Sequence, residues 1–431
     1  MILNETVCKI LKQLSDAGYK AYVIGGAVRN YLMGIPYRDF DIASNAVPDE
    51  IASLLQEYRL DRTHRQFGTI VVIDSEHKYQ ITSFRSERDY VDRRHPKSVQ
   101  FVKTLKEDVL RRDFSMNAIA YSPAEGFLDY CNGIQDIKDR MIRFIGLASV
   151  RIQEDPLRIL RALRFFSCYP LQFESQTYQA LQEYFTWIPT IHPHRIYQEL
   201  SHTITGSYIK KLLEKFPRYL EMVFPDIQDL MLFSDRTLQC QLANVLQRLP
   251  ADLPLRLTAL FCFQTELDKQ VIEQFHHFAM PKSAIQEIEG LHKLYHVLCT
   301  VYADESTAIA QLRKLALYND IALLQRAAIL YSVVCNTFKQ PSDSTVVERI
   351  LASFLSSLKE RPLVFTNSLA INGLDLQNAG IPKGKEIQEI LHDILFKIEN
   401  NELRNHRDTL LSYVNSAYIH NCKKVNGKSD Q

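Results

Sequence analysis

The chain has 431 residues, 46% hydrophobic and 23% charged, enough for about two to four globular domains with buried cores. Lys and Arg number 51 against 50 Asp and Glu, so the formal net charge is +1. Bulk attraction to nucleic acid is thereby excluded, and such a partner must be met by local basic patches. The eight cysteines are scattered without a Cys-x-x-Cys pair, against both a zinc site and a disulfide framework. No apolar run reaches membrane-spanning length and Met1–Lys20 lacks a signal-peptide core, so a cytoplasmic protein with no membrane partner is expected.

In chain order, residues 4–18 have the apolar spacing of a helix. Strands are predicted over 21–25, 40–44, 69–74 and 78–84, which are rich in Val, Ile, Tyr and Phe. Pro48 with Asp49 and Glu50 starts a helix that runs to about Glu57. From about residue 149 strand signals nearly vanish. Long helical patterns follow, punctuated at Pro170, Pro189, Pro193, Pro217, Pro225, Pro250 and Pro254. The expected fold is α+β: an α/β head with a short mixed sheet, then all-helical neck, body and tail. The divisions fall at 1–145, 146–205, 206–345 and 346–431. The stretch after Tyr413 is polar and reads as a frayed terminus. Nothing in the sequence fixes an oligomeric state.

Chemistry is concentrated in three motifs. The first is Gly25-Gly26-Ala27-Val28-Arg29-Asn30, leaving a short apolar run, followed by Asp39-Phe40-Asp41. Glycines let a backbone approach phosphate closely, with amides free to donate. Two acids at i and i+2 on a strand share a face, about 6–7 Å apart. Such a pair can hold divalent cations that activate an attacking hydroxyl and neutralise a leaving pyrophosphate. Alone, Gly-Gly is turn punctuation and Asp-x-Asp a solvated strand edge or cap. Together they read as phosphoryl-transfer machinery.

The second motif is Arg111-Arg112-Asp113-Phe114-Ser115-Met116-Asn117-Ala118. Guanidinium forks suit triphosphate oxygens, and Asp113 and Asn117 are placed to contact a ribose hydroxyl. The plainer reading is a helix terminus, with Glu107 and Asp108 in the turn before it and Asp113 as N-cap. The third is Glu154-Asp155-Pro156-Leu157-Arg158, continuing to Arg161 and Arg164. Proline suits a first helical turn, and the spacing allows Asp155, Arg158, Arg161 and Arg164 one side of a helix. Leu157, Leu160 and Leu163 form an inward stripe. A surface ion-pair helix is the default reading of a lone Asp-x-x-Arg. The functional reading is base selection. A carboxylate accepts from cytosine N4 or adenine N6, while guanine O6 and uracil O4 face it with acceptors. A buried unpaired acceptor costs about 1–3 kcal/mol.

These motifs resemble those of the nucleotidyltransferase superfamily, and more narrowly the bacterial class II CCA-adding enzymes and the related poly(A) polymerases. The family runs are Gly-Gly-x-Val-Arg-Asp, Asp-x-Asp-Ile-Ala (here Asp39–Ala43) and Arg-Arg-Asp-Phe-Thr-x-Asn-Ala (here with Ser115). The resemblance extends over about 20–205, thins over 206–365 and returns over 366–412. It implies a nucleotidyltransferase-type head, with Asp39 and Asp41 as catalytic metal ligands for Mg²⁺. It also implies that Gly25, Gly26, Arg29, Arg112, Asp113 and Asn117 bind nucleotide. Asp155 and Arg158 would read the base, with Arg161 and Arg164 assisting. The implied activity is template-independent addition of C and A to tRNA 3′ ends from CTP and ATP.

Three further stretches fit that resemblance. Arg85–Pro96, a charged solvated loop by composition, resembles the family's flexible loop at full length; in enzymes that add the terminal A this loop helps switch from CTP to ATP. His194-Arg195-Ile196 with Glu199-Leu200 resembles the helix closing the neck, read as packing. Ile371–Leu376 with Gly380 and Gly384 resembles the tail that grips the tRNA elbow, although Gly and Asn are also ordinary turn residues. Two positions depart from the family: Asn30 ends the glycine run where an Asp is usual, and Gln80 stands where a Glu is usual near the metal carboxylates. A poly(A) polymerase, a partial A-adding enzyme and an RNA binder with weakened chemistry stay open as alternatives.

Overall fold

The computed structural model describes residues 1–75, 77–90, 96–225, 227, 235–300, 309, 312–313, 315–316, 320–338, 344–360, 368–399 and 402–419. They form two compact units: Met1–Ala243 with Glu273–Met280, and Asn244–Ile272 with Pro281–Gln431.

The first unit opens with α1 (Glu5–Asp16), whose first turn is held by the Asn4 side chain accepting from Val7 N. Its Val7, Ile10, Leu11 and Leu14 are buried, the stripe expected from the spacing. Next come β1 (Ala21–Ile24), α2 (Gly26–Leu32), β2 (Asp41–Ser44), α3 (Pro48–Leu54), β3 (Arg59–Asp61), β4 (Thr69–Asp74) and β5 (His77–Ser83). The hairpin β6 (Arg85–Tyr90) and β7 (Pro96–Phe101) follows, then α4 (Leu105–Leu110), β8 (Ala120–Ser122) and β9 (Gly126–Leu128). Seven strands make one mixed sheet in the order β3-β4-β5-β2-β1-β8-β9. All four predicted strands are present. The strands missed, β3, β8 and β9, have three residues each, too short to show a period.

Of Arg85–Pro96, expected as a loop, Arg85–Tyr90 is instead a strand, paired with the strand that starts at Pro96. Arg85 faces Phe101 and Tyr90 faces Pro96 in an antiparallel ladder. The ladder is anchored at its base by Val102 N donating to Phe84 O (2.9 Å) and Arg85 N donating to Asp108 Oδ1 (3.2 Å). The rest of that expected loop, residues 91–95, lies outside the described residues.

The sheet places the site. β1 lies between β2 and β8, antiparallel to both, and β2 runs parallel to β5. Tyr22, Ile24, Ala43, Phe84, Leu105, Val109, Ala118 and Ala120 bury the sheet against α4 and the segment after it. In chain order α5 (Gly133–Lys138) follows within the head, then α6 (Ala148–Glu154), α7 (Leu157–Cys168), α8 (Ser175–Glu183) and α9 (Pro193–Ile204). One short parallel pair, Met141–Ile142 with Gln172–Phe173, interrupts this region, which is otherwise helical as predicted.

The second unit is helical. Its helix Ile321–Phe338 has 18 residues and a mean hydropathy of 1.4, enough by length and composition to cross a membrane, where the sequence reading expected no such run. Leu324, Ala327, Leu330, Tyr331 and Val334 are buried, and Arg326 within it pairs with Asp252 and Glu287. Of this helix 39% is buried within the protein, so one face packs inward. Farther along, Ile371, Leu376, Ile381, Ile387, Ile390, Ile394, Ile398, Leu410 and Val414 form a separate apolar cluster.

Candidate active site

The glycine turn follows from β1. Gly25 has φ +80°, a conformation that L side chains rarely adopt, and it turns the chain from β1 into α2. A Cβ added at Gly25 would stand 3.8 Å from Asp41 Oδ2, so the turn and the acid are in contact range. In the ladders Asp41 faces Ile24 on one side and Gln80 on the other. β2 begins only at Asp41, so Asp39 lies outside the strand, in the segment that leads into it. The alternation still holds: Phe40 is buried while Asp39 and Asp41 are exposed.

Asp41 shows surface to solvent yet is hemmed in by protein. This desolvation raises its carboxyl pKa, Arg112 opposes the shift, and the charge of Asp39 adds to it. A divalent cation would relieve that like-charge pressure. Among the described residues no group of three or more His, Cys, Asp or Glu side chains is gathered for a metal. Two carboxylates with remaining positions left to water and phosphate oxygens is a donor set that suits Mg²⁺. The residues present therefore fit the metal that the resemblance implies.

Arg29 is buried, 7% exposed, and its guanidinium is turned into the protein. It donates to Asn30 Oδ1 from Nε and Nη2 (3.1 and 2.8 Å), to Asn117 Oδ1 (2.7 Å) and to the Tyr169 hydroxyl (3.2 Å). The charge also sits over the Phe165 and Tyr169 rings, at 4.8 and 5.2 Å. Asn30 thus replaces the usual acid with a neutral acceptor. Gly26 backs this arrangement, since a Cβ there would lie 3.8 Å from Arg29 Nη2.

The second motif is organised by a residue that the sequence reading did not single out for chemistry. Asp108, 1% exposed, takes Arg111 Nη2 at 2.8 Å on one oxygen and Arg112 Nη2 at 3.0 Å on the other. Burial would raise its pKa, but the two arginines outweigh burial and hold it low. Its i, i+3 and i, i+4 spacing to the arginines was the available signal. Glu107 and Asp108 lie inside α4, which Thr104 caps, and not in a turn before the next helix. Asp113 does not cap a helix; it holds a single 3₁₀ turn, accepting from Phe114 N (2.8 Å) and Asn117 Nδ2 (3.1 Å). Its other oxygen takes Arg161 Nη2 at 2.5 Å. Burial again pushes upward, yet Arg161, Asn117 and Phe114 N bring this carboxyl down to about 2.

The third motif is not one continuous helix. Asp155 is extended, with φ −148° and ψ 102°, between α6 and α7. Pro156 leads into α7, and Arg158, Arg161 and Arg164 follow on it, while Leu157, Leu160 and Leu163 are buried as expected. Every arginine has an acid: Arg158 with Glu154 (2.6 Å), Arg161 with Asp113, and Arg164 with Glu199 (2.6 Å). Arg195 of α9, read as packing, forks onto Asp155. Its neighbours Ile196 and Leu200 do pack, being 4% and 1% exposed.

A glycine turn beside two carboxylates, one opening β2 and one just before it, with Arg112 near enough to act on Asp41, defines a nucleotidyltransferase. Comparison with known proteins agrees. Residues 21–143 match the Poly A polymerase head domain family, and residues 256–414 match the tRNA nucleotidyltransferase domain 2 family. A CCA-adding enzyme of Staphylococcus epidermidis is 31% identical over 418 residues, 94% of this chain and 96% of its own. One from Staphylococcus aureus (strain MRSA252) is 42% identical over 209 residues, 48% and 52% of the two chains. The fold is shared with the crystal structure of the Bacillus stearothermophilus CCA-adding enzyme in complex with CTP, at TM-score 0.72 and 24% identity over 97% and 98% of the chains. It is also shared with the Thermotoga maritima enzyme complexed with tRNA, at TM-score 0.62 and 21% identity over 96% of each. The chain belongs to the CCA-adding enzyme family.

Proposed function

We propose that the protein adds C and A to the 3′ end of tRNA without a nucleic-acid template, using CTP and ATP and releasing pyrophosphate. The observation that carries the chemistry is the placement of Asp41 between Ile24 and Gln80, with Gly25 in contact range and Asp39 one alternation away. We assign catalysis to the head, residues 1–145, base recognition to the neck, 146–205, and tRNA elbow binding to the tail, 346–431, beyond a helical body, 206–345.

Asp39 and Asp41 would hold the divalent cations, Mg²⁺ in this proposal. When bound, such ions lower the pKa of the attacking 3′-hydroxyl and stabilise the leaving pyrophosphate. Arg112, held by Asp108 and 20% exposed along its side chain, is oriented to meet triphosphate oxygens. Gly25 and Gly26 keep side chains from the space beside the acids. Arg29, Asp113 and Asn117 act through one another, forming the wall on which nucleotide sits, and Arg161 and Arg164 tie that wall to the neck. Asp155 and Arg158 select the base. Arg158 Nη1 is spent on Glu154 and on Arg151 O (2.8 Å), which among the described residues leaves Nη2 and Nε for a pyrimidine N3 and O2 or a purine N1.

The test is substitution of the acids. Asp39→Ala or Asp41→Ala should lower nucleotide incorporation on the order of a thousandfold, since metal stabilisation is worth several kcal/mol and each 1.36 kcal/mol is tenfold. The melting temperature should stay near wild type, because both side chains are exposed. Wild-type turnover by either variant at saturating Mg²⁺ overturns the metal assignment.

A further inference from the structure

Asp155 has an unusually complete set of partners for a side chain meant to recognise a ligand. An ionised carboxylate offers about four acceptor sites, two on each oxygen. On Oδ1, one is taken by Leu157 N at 3.1 Å and another by Arg195 Nη1 at 3.2 Å. On Oδ2, Arg195 Nη2 takes one at 2.9 Å. Among the described residues, one acceptor site on Oδ2 remains. Arg195 reaches across from α9, forty residues away in sequence, and both side chains are largely enclosed at 21% and 17% exposure. The guanidinium is planar and its two nitrogens engage two oxygens, so the pair fixes the plane of the carboxylate as well as its position.

We infer that Arg195 is a positioning residue for base selection: it leaves Asp155 a single acceptor direction, matched to the one of the two amine hydrogens that cytosine N4 or adenine N6 turns toward its Watson–Crick edge. This rests on the reading of Asp155 as the group that meets the base amine. The selectivity follows from rigidity. A fixed acceptor pointing at guanine O6 or uracil O4 cannot turn away, so those bases meet unrelieved repulsion. A carboxylate freed from the fork rotates about its Cβ–Cγ bond and presents an edge that tolerates the wrong base. It also loses the preorganisation that favours the right one. The Asp155 turn itself is held independently, by Asp155 N to Arg151 O and Arg158 N to Asp155 O, so removing the fork does not remove the turn.

The experiment compares single-turnover incorporation of CTP, ATP, GTP and UTP on tRNA by wild type, Arg195→Met, Arg195→Lys, Asp155→Ala and the Asp155→Ala/Arg195→Met double variant. Melting temperature and tRNA affinity are measured alongside. Arg195→Met should reduce the preference for C and A over G and U by about 10- to 100-fold, the scale of a misplaced contact. Arg195→Lys, which keeps the charge but not the fork, should fall between the two. In the Asp155→Ala background the Arg195→Met change should add no further loss of selectivity, the non-additivity of groups acting through one contact. Wild-type selectivity in Arg195→Met, with selectivity lost in Asp155→Ala, overturns the role of Arg195 alone. If Asp155→Ala also keeps wild-type selectivity, the base-reading assignment fails and this inference falls with it. Should Arg195→Met not fold, Arg195→Lys decides, and wild-type selectivity in that variant overturns the fork argument.

Discussion

Gln80 sits beside Asp41 in a parallel ladder, so its amide stands where a third carboxylate would add charge at the metal acids. Asn30 is the other departure, and its surroundings account for it. The side-chain oxygen accepts twice from a buried arginine that has no ion-pair partner among the described residues. The two amides therefore do different things. Asn30 is structural and inward, while Gln80 is exposed and faces the site. Gln80→Glu should shift the Mg²⁺ dependence of incorporation to lower concentration, by roughly tenfold at most on the scale of outer-shell groups. Nucleotide choice should be unchanged. An unshifted or weakened Mg²⁺ dependence contradicts the placement of Gln80 near the metal. The acids and glycines were legible in the sequence because their chemistry is local: alternation along a strand and one positive φ. The inward turn of Arg29 was not, because Asn117 and Tyr169 come from 88 and 140 residues away.

Carboxylates and arginines tie separate segments together: Asp113 takes Arg161 of α7, Glu199 of α9 takes Arg164 of α7, and Asp155 takes Arg195 of α9. Leu157, Leu160 and Leu163 were readable as a stripe from their spacing, and they are buried. The break at Asp155 was not readable, since an acid before Pro156 fits a first helical turn and an extended junction equally well. Nor did any local period announce that Arg195 would meet Asp155. The network also sets a pH response. Asp113 has its folded pKa lowered to about 2 from an ordinary 3.8. A depressed carboxyl stabilises the fold above its unfolded pKa, and that contribution is lost as pH falls through the folded value. The window is thus about pH 4 down to about 2, with a contribution on the order of 2 kcal/mol. Asp113→Asn should be less stable at neutral pH, and its melting temperature should fall less steeply than wild type across that window. Parallel curves for the two proteins would show that Asp113 is not the titrating group.

At the scale of the whole molecule, the α+β class and the switch from sheet to helices were carried by composition and punctuation. The hairpin of β6 and β7 was hidden by its charge, since solvated strands and solvated loops have the same composition. The apolar cluster from Ile371 to Val414 gives the tail a core of its own. Ending the chain after residue 365 should therefore weaken binding to whole tRNA much more than binding to a short acceptor-stem mimic, because an elbow contact requires a module far from the acids. Equal loss on both RNAs, read by equilibrium binding, would mean general destabilisation.

The central claim is the ordered addition of C and A. Its most direct measurement incubates the unmodified protein with tRNAs ending at the discriminator base, at C and at CC, with CTP or ATP supplied singly and the products sized on a gel. The account predicts two additions from CTP on the first RNA and one on the second. ATP should add a single residue to the RNA ending in CC, and GTP and UTP should add nothing. No addition on any end, or a long run of A from ATP alone, would contradict it.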